Sequence, residues 1–415
     1  MNIKFYLLLF LTKYLFYFDN ILFIFIMKDK KEKNKESTKE ENTENNESSF
    51  TKLIYIILLY VFYLFGGLFN EKLTKTHYEY KDSENNIKNL RFKYPSISLC
   101  TLSILSFGIS TYMSKTMKAK IFKEELYSPI SFHDKSIIGV LYTISTFTSQ
   151  IALLYLDFIV KTIGKSCKSA SIMFIYFLNT IPFCNSLLKK LLNNNEKDSK
   201  NKEDKILQKD VIKVIMTTTS VILFNLSSGS DKKSKNNDSS NSSFFGIIIL
   251  LISLFSDGLL SLKEKMIQGN INSNKKYNGY EKIICWEYMQ IFSFFTFIFG
   301  FGQIIFNILF GDYVQIFKII LNNKILLKDL LSYAIFDVLG QSVLFIFLGK
   351  YGPLALSMVT SVRKILSISI SILYFGKSIS FPQSISLLLA TSIIFWEIYD
   401  KGNKNKPKEI KKKNE

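Results

Sequence analysis

Histidine is nearly absent from this chain. His77 and His133 are the two in 415 residues, and both lie in polar connections. A zinc hydrolase or a His-based triad therefore has almost nothing to work with. Cysteine is sparse too, at positions 100, 167, 184 and 285. No CxxC or other metal-ligand spacing occurs, and three of the four sit in or beside apolar runs. They read as packing residues, not as disulfides or ligands. A membrane transferase would need paired carboxylates or a His on the lumenal side, and the apolar runs hold few candidates. No catalytic residue, metal site or cofactor is expected.

What the chain has in quantity is apolar and aromatic residues. Hydrophobic residues make up 48% and aromatic residues 15%, yet mean hydropathy is only +0.16. That mixture fits apolar spans joined by very polar loops. The net charge of +19 resembles that of a nucleic-acid binder. The lysines, however, concentrate in Asn/Lys/Ser tracts at 28–49, 193–209, 228–243 and 401–415. Such tracts read as solvated loops and tails, so no nucleic-acid partner is expected. The expected environment is the lipid bilayer.

A helix needs about 20 mostly apolar residues to cross a bilayer. The sequence predicts ten spans, near 52–70, 95–114, 136–156, 167–188, 210–226, 244–262, 283–310, 329–349, 351–375 and 384–400. Gly352-Pro353 marks a short turn between the eighth and ninth. The long 283–310 run must tilt or extend past the lipid. Residues 1–51 form an N-terminal extension, an apolar segment at 4–26 followed by a disordered polar tract. The apolar segment can be an eleventh span, a signal peptide or an upstream extension of the true start at Met27; the extension is favoured. The rest divides into a five-helix unit at 52–226, a polar linker at 227–243, a second five-helix unit at 244–400 and a Lys-rich tail at 401–415.

An even span count puts both ends of the 52–400 core on one side, and the basic tails place that side in the cytosol. The chain ends Lys412-Lys413-Asn414-Glu415. Lysines third and fourth from the end form a dilysine signal, read by the coat machinery that retrieves membrane proteins to the endoplasmic reticulum. A Lys-rich tail also meets this pattern by chance.

Ionisable residues inside a span cost at least roughly 2.5–3.5 kcal/mol at mid-helix. Gly164-Lys165-Ser166-Cys167-Lys168 opens the fourth run. Its lysines, three apart, share a helix face beside free N–H groups. From spacing alone, a phosphate site and a pair of snorkelling lysines stay equally open. Arg363-Lys364 lies about twelve residues into the ninth run, too deep for easy snorkelling. An anion-binding cavity is the better reading there, with an ion pair to Asp257 or Asp337 as the alternative. Spans four and nine are equivalent if the ten spans are two repeats of five. Transporters built from inverted repeats bind substrate at the midplane between halves.

At these residues the chain resembles a known family. Gly164 through Lys168 resembles the fourth-span motif of nucleotide-sugar transporters of solute carrier family 35. Tyr351-Gly352-Pro353-Leu354 through Val362-Arg363-Lys364, with Leu373-Tyr374-Phe375-Gly376 after it, resembles their ninth span. Leu254 through Leu259, Leu339-Gly340-Gln341-Ser342 and Asn70-Glu71-Lys72-Leu73-Thr74 match in order and spacing. Together these resemble the endoplasmic-reticulum branch called UDP-galactose transporter homologues, over about 52–400. Ile365-Leu366 replaces that family's usual aromatic pair, the loops carry long Asn/Lys insertions, and the first 50 residues have no counterpart.

The resemblance implies an all-α membrane protein of about ten transmembrane helices, in two inverted five-helix repeats: the drug/metabolite transporter fold. It implies an antiporter moving UDP-galactose or UDP-glucose from the cytosol into the endoplasmic-reticulum or Golgi lumen, in exchange for a nucleoside monophosphate. ATP/ADP exchange is the alternative. Phosphates are expected at Lys165, Lys168, Arg363 and Lys364. Gln341 is the candidate for a sugar or base contact, or else a helix–helix hydrogen bond. Asp257 is the candidate for pairing with a basic residue when the site is empty.

Overall fold

The computed structural model describes residues 41–81, 87–121, 128–165, 212, 215–216, 219–224, 238–273, 277, 280–310, 319–320, 322–376 and 380–404. In chain order these form α1 (Glu41–Lys75), β1 (His77–Lys81), β2 (Ile87–Arg91), α2 (Pro95–Ile121), α3 (Phe132–Tyr155), α4 (Phe158–Gly164), α5 (Asp238–Ser273), α6 (Glu281–Phe310), α7 (Lys324–Tyr374) and α8 (Phe381–Lys404). Apart from one hairpin, the described chain is helical. This is the form a segment must take where lipid offers its backbone no hydrogen bonds.

Among the described residues, six helical segments are long and apolar enough to cross a membrane: Thr51–Lys75, Pro95–Ala119, Phe132–Tyr155, Phe244–Ile271, Ile283–Leu309 and Lys324–Tyr351. Phe381–Trp396 is a shorter apolar helix. The chain is a multi-pass membrane protein. The expected span at 167–188 lies outside the described residues. Of 210–226, the described residues are helical.

Two boundaries differ from the sequence reading. Helix α1 starts at Glu41, inside the tract expected to be disordered, and α5 starts at Asp238, inside the expected linker. An apolar span supplies the costly nucleus, and adding polar residues to it is cheap.

Local signals fix the other ends. Ser131 caps α3, its Oγ accepting from Asp134 N at 3.1 Å. Pro95 opens α2, where its missing N–H removes nothing. Asn323 caps α7 by accepting from Ile325 N and Leu326 N, at 3.1 and 3.0 Å. Its amide also donates to Glu79 O at 2.8 Å, which ties α7 to the β1–β2 hairpin. That hairpin is antiparallel, with His77 opposite Arg91. Past α7, Gly376 takes φ 57°, the left-handed conformation glycine adopts freely after a helix end.

Helix α7 is 51 residues long, about 77 Å if straight, and it is not straight. Its first arm runs antiparallel to α1. Asp329 contacts Lys72, Asp337 lies against Gly66, Gly340 against Tyr63, and Lys350 bonds Tyr55. Its second arm runs back parallel to α1. Tyr351 lies against Tyr55, Arg363 against Tyr63, and Ser371 bonds Glu71. The reversal falls at Gly352-Pro353, where proline removes a helical hydrogen bond. Helix α1 is thus held along its length by both arms.

The remaining helices meet through small polar side chains, which let backbones approach and add hydrogen bonds. Ser293 donates to Ser106 at 2.7 Å, joining α6 to α2. Ser253 donates to Ser145 O at 2.8 Å, joining α5 to α3. Ser220 and Ser386 exchange reciprocal bonds of 2.7 and 2.6 Å to each other's carbonyls.

Candidate functional site

Charged and polar side chains gather in a layer at mid-membrane. Tyr63, Ser145, Asp257 and Asp337 each lie near the middle of their helical spans, and Arg363 near the middle of the second α7 arm. Lys165 reaches the layer by another route. After α3 ends, Asp157 begins the seven-residue α4, which leads the chain inward to Lys165.

Lys165 Nζ forms an ion pair with Asp257 Oδ2 at 3.1 Å and donates to Ser145 Oγ at 3.4 Å. Ser145 also donates to Asp257 Oδ1. Lys364 Nζ donates to the carbonyl of Lys165 at 2.9 Å. The two basic motifs, about 200 residues apart in sequence, are therefore in direct contact. Asp257 keeps 36% of its side chain exposed and Lys165 25%. An ionic pair at this depth needs water beside its exposed part.

Arg363 faces the other way, toward α1. Its guanidinium lies 4.0 Å from the Tyr63 ring centre, a cation–π contact. Among the described residues, no group hydrogen-bonds its buried Nε. A Cβ on Gly340 would come within 3.1 Å of the Tyr63 ring, so the absent side chain makes room for that stack. Gln341 Nε2 donates to Asp337 Oδ2 at 2.8 Å. Asp337 interacts electrostatically with Arg363 and Lys161. Tyr142 lies within electrostatic reach of Asp337, Tyr63 and Asp257. Tyr333 accepts from Gln150 Nε2 at 3.0 Å.

Ionic clusters lie on both sides of this layer. At the hairpin end, Asp329 holds Lys72 at 2.9 Å and accepts from Tyr78 OH at 3.0 Å. Burial and the Asp329 carboxylate push the Tyr78 phenol above its ordinary pKa, so it remains a donor. Lys75 pairs with Asp157 at 2.6 Å and Glu71 at 3.2 Å, and Ser371 donates to Glu71 at 2.6 Å. At the opposite end, Glu287 pairs with Lys118 at 2.5 Å and accepts from Ser128 at 2.9 Å. There Lys263 pairs with Asp134 at 2.8 Å. Glu71, Asp329, Glu287 and Lys263 are buried.

Of the residues singled out from sequence, Lys165, Arg363, Lys364, Gln341 and Asp257 all stand in this layer. Gln341 is bonded within its own helix, to Asp337. Lys168, Lys412 and Lys413 lie outside the described residues. Tyr63, Tyr142, Gln150, Lys161 and Tyr333 were not foreseen. Gln150 and Lys161 carried a signal as polar residues in apolar surroundings. Tyr63, in the run Tyr60-Val61-Phe62-Tyr63-Leu64-Phe65, carried none.

Residues 205–401 match the UAA transporter family. UDP-galactose transporter homolog 1 of Candida glabrata is 28% identical over 172 residues, covering 39% of this chain and 47% of that protein. Its Saccharomyces cerevisiae namesake is 29% identical over 163 residues, covering 38% and 45%. Solute carrier family 35 member B1 of Dictyostelium discoideum is 30% identical over 89 residues, covering 21% and 23%. The first two alignments thus span about half the length of those relatives. Residues 205–401 of this chain are thus similar to the UAA transporter family, and part of the chain is similar to UDP-galactose transporter homologs.

Proposed function

We propose that this chain is a nucleotide-sugar antiporter of the endoplasmic-reticulum or Golgi membrane. Its expected substrate is UDP-galactose or UDP-glucose, exchanged for a nucleoside monophosphate. The observation that carries the reading is the Lys364–Lys165 contact at 2.9 Å. It gathers cations from two distant helices at mid-membrane, where their cost calls for an anionic ligand. Arg363 and the two lysines suit phosphate oxygens. A neutral solute would bring no negative charge to these cations.

The ionic clusters on either side support alternating access, with one opening while the other stays closed. Lys165 is held by Asp257 when the site is empty, and a substrate phosphate competes for it. Crossing with a phosphate in place then costs less than crossing empty, which favours exchange. Ten helices in two inverted repeats are the architecture proposed for the whole chain. Both ends of the 52–400 core face the cytosol, where Lys412 and Lys413 would meet the coat machinery.

The test is uptake by the purified chain in liposomes, screened across nucleotide-sugars, ATP and ADP. Saturable UDP-sugar uptake that internal UMP accelerates is the expected result. Transport of ATP and ADP alone would move the substrate assignment to the adenine nucleotides. Equal uptake into empty and UMP-loaded vesicles would end the exchange claim.

A further inference from the structure

Asp337 is a carboxylate in the middle of a membrane span, and its bonding is incomplete. Among the described residues it accepts one hydrogen bond, from Gln341 one helical turn along. A carboxylate can accept roughly four. Among the described residues it has no ion pair within 4.0 Å. Arg363 is close enough to act on it electrostatically, but that guanidinium lies over the Tyr63 ring and its Nε has no hydrogen-bond partner. A cation and an anion thus stand near each other at mid-membrane without forming a salt bridge. Folding alone would favour closing that pair, since each ion is expensive where it stands.

The position of Asp337 is fixed from behind. Its backbone lies against α1, where a Cβ on Gly66 would come 3.4 Å from Asp337 N. Gln341 holds one carboxylate oxygen from the same helix. The second oxygen is left with capacity to accept. A phosphate is excluded there by like charge, and the complement of a carboxylate is a hydrogen-bond donor.

We propose that Asp337 is a further ligand-binding residue, which accepts hydrogen bonds from the donor groups of the uncharged part of a phosphorylated substrate. Arg363 takes a phosphate, and Gln341 is the positioning residue for the carboxylate. This deepens the nucleotide-sugar reading and rests on it. The donors are the hydroxyls of the hexose or the hydroxyl and N–H groups of the nucleoside. Either source gives the site a polarity: phosphates toward Lys165, Arg363 and Lys364, donors toward Asp337.

The experiment uses the full chain in liposomes, comparing wild type with Asp337→Asn. Labelled UDP-galactose uptake is competed with UDP-glucose, UDP, UMP and inorganic pyrophosphate. Losing a hydrogen bond to a charged group should raise the KM for UDP-galactose about tenfold or more. Competition by pyrophosphate, which brings no such donors, should change less than about twofold by the same reasoning. If UDP and UMP also hold within that limit, the hexose is the donor; if they weaken with UDP-galactose, the nucleoside is. Unchanged KM for every ligand, or equal weakening for all including pyrophosphate, overturns the proposal.

Should Asp337→Asn fail to fold, Gln341→Met keeps the carboxylate and removes its tether. The same ligand ranking, with a smaller rise of about two- to fivefold because the carboxylate remains and only its positioning is lost, is then expected. A flat profile overturns the proposal there too. If wild type moves no nucleotide-sugar or nucleotide at all, the parent reading fails instead. Thermal shifts with UDP and pyrophosphate would still compare wild type and variants as binders.

Discussion

Lys364 donates a hydrogen bond to the backbone carbonyl of Lys165 at 2.9 Å, across 199 positions of sequence. The bond joins α4 to the second arm of α7. It places one motif's ammonium at the other motif's backbone, next to the Lys165–Asp257 ion pair. A shift of either segment therefore moves the other's cation.

Arg363 is expected to be indispensable to transport and dispensable to folding. Arg363→Ala removes the planar fork over Tyr63 and should lower kcat/KM for UDP-galactose about 100-fold, as loss of a charge-assisted contact does. Arg363→Lys keeps the charge without the fork and should retain about a tenth of activity. Uptake in liposomes, read beside size-exclusion profiles, checks both. Near-normal uptake by the alanine variant would remove Arg363 from the site.

Asp257 should govern the empty carrier more than the loaded one. Asp257→Asn frees Lys165 from its 3.1 Å partner, so a substrate phosphate no longer competes with a carboxylate. The KM is expected to fall about three- to tenfold, the scale of a partly exposed ion pair. Uptake into vesicles without internal nucleotide should slow relative to exchange. A raised KM would count against the competition between Asp257 and phosphate.

The hairpin end should loosen when Asp329 is neutralised. Asp329→Asn weakens the bonds to Lys72 and Tyr78 at 2.9 and 3.0 Å. Because Lys72 stays 31% exposed, the loss is discounted to about 1–2 kcal/mol. A cysteine introduced at Tyr63 is predicted to react faster with a membrane-impermeant thiol reagent added from the hairpin side. Unchanged labelling would show that this cluster does not hold that end closed.

The packing of α3 on α6 depends on one missing side chain. A Cβ on Gly139 would overlap the Phe295 ring, so Gly139→Ala should destabilise the protein by about 1–3 kcal/mol. Gly269→Ala meets nothing within 4 Å and serves as the neutral control. Thermal unfolding in detergent compares the two.

The membrane class was plain in the sequence because about 20 apolar residues in a row are needed to cross lipid, and composition alone supplies them. Arg363 and Lys165 were legible for a related reason. A charge inside an apolar run is costly enough to stand out against its neighbours. The Gly352-Pro353 break was legible as well, since proline disrupts a helix wherever it occurs inside one. The hairpin at 77–91 escaped, because Tyr78 is buried only once Asp329, some 250 residues later, is brought to it. Tyr63 escaped because nothing local separates it from the aromatic residues beside it.

The sequence by itself therefore determined the bilayer as solvent, the main apolar helices and the presence of cations within them, all consequences of transfer free energies that each segment carries alone. Tertiary structure decided which charges meet. Asp257 rather than Asp337 pairs with Lys165, and Arg363 lies on Tyr63 rather than on a carboxylate. Those choices depend on helix rotation and on the room left by Gly340 and Gly66. Only the packing of helices from distant parts of the chain sets these.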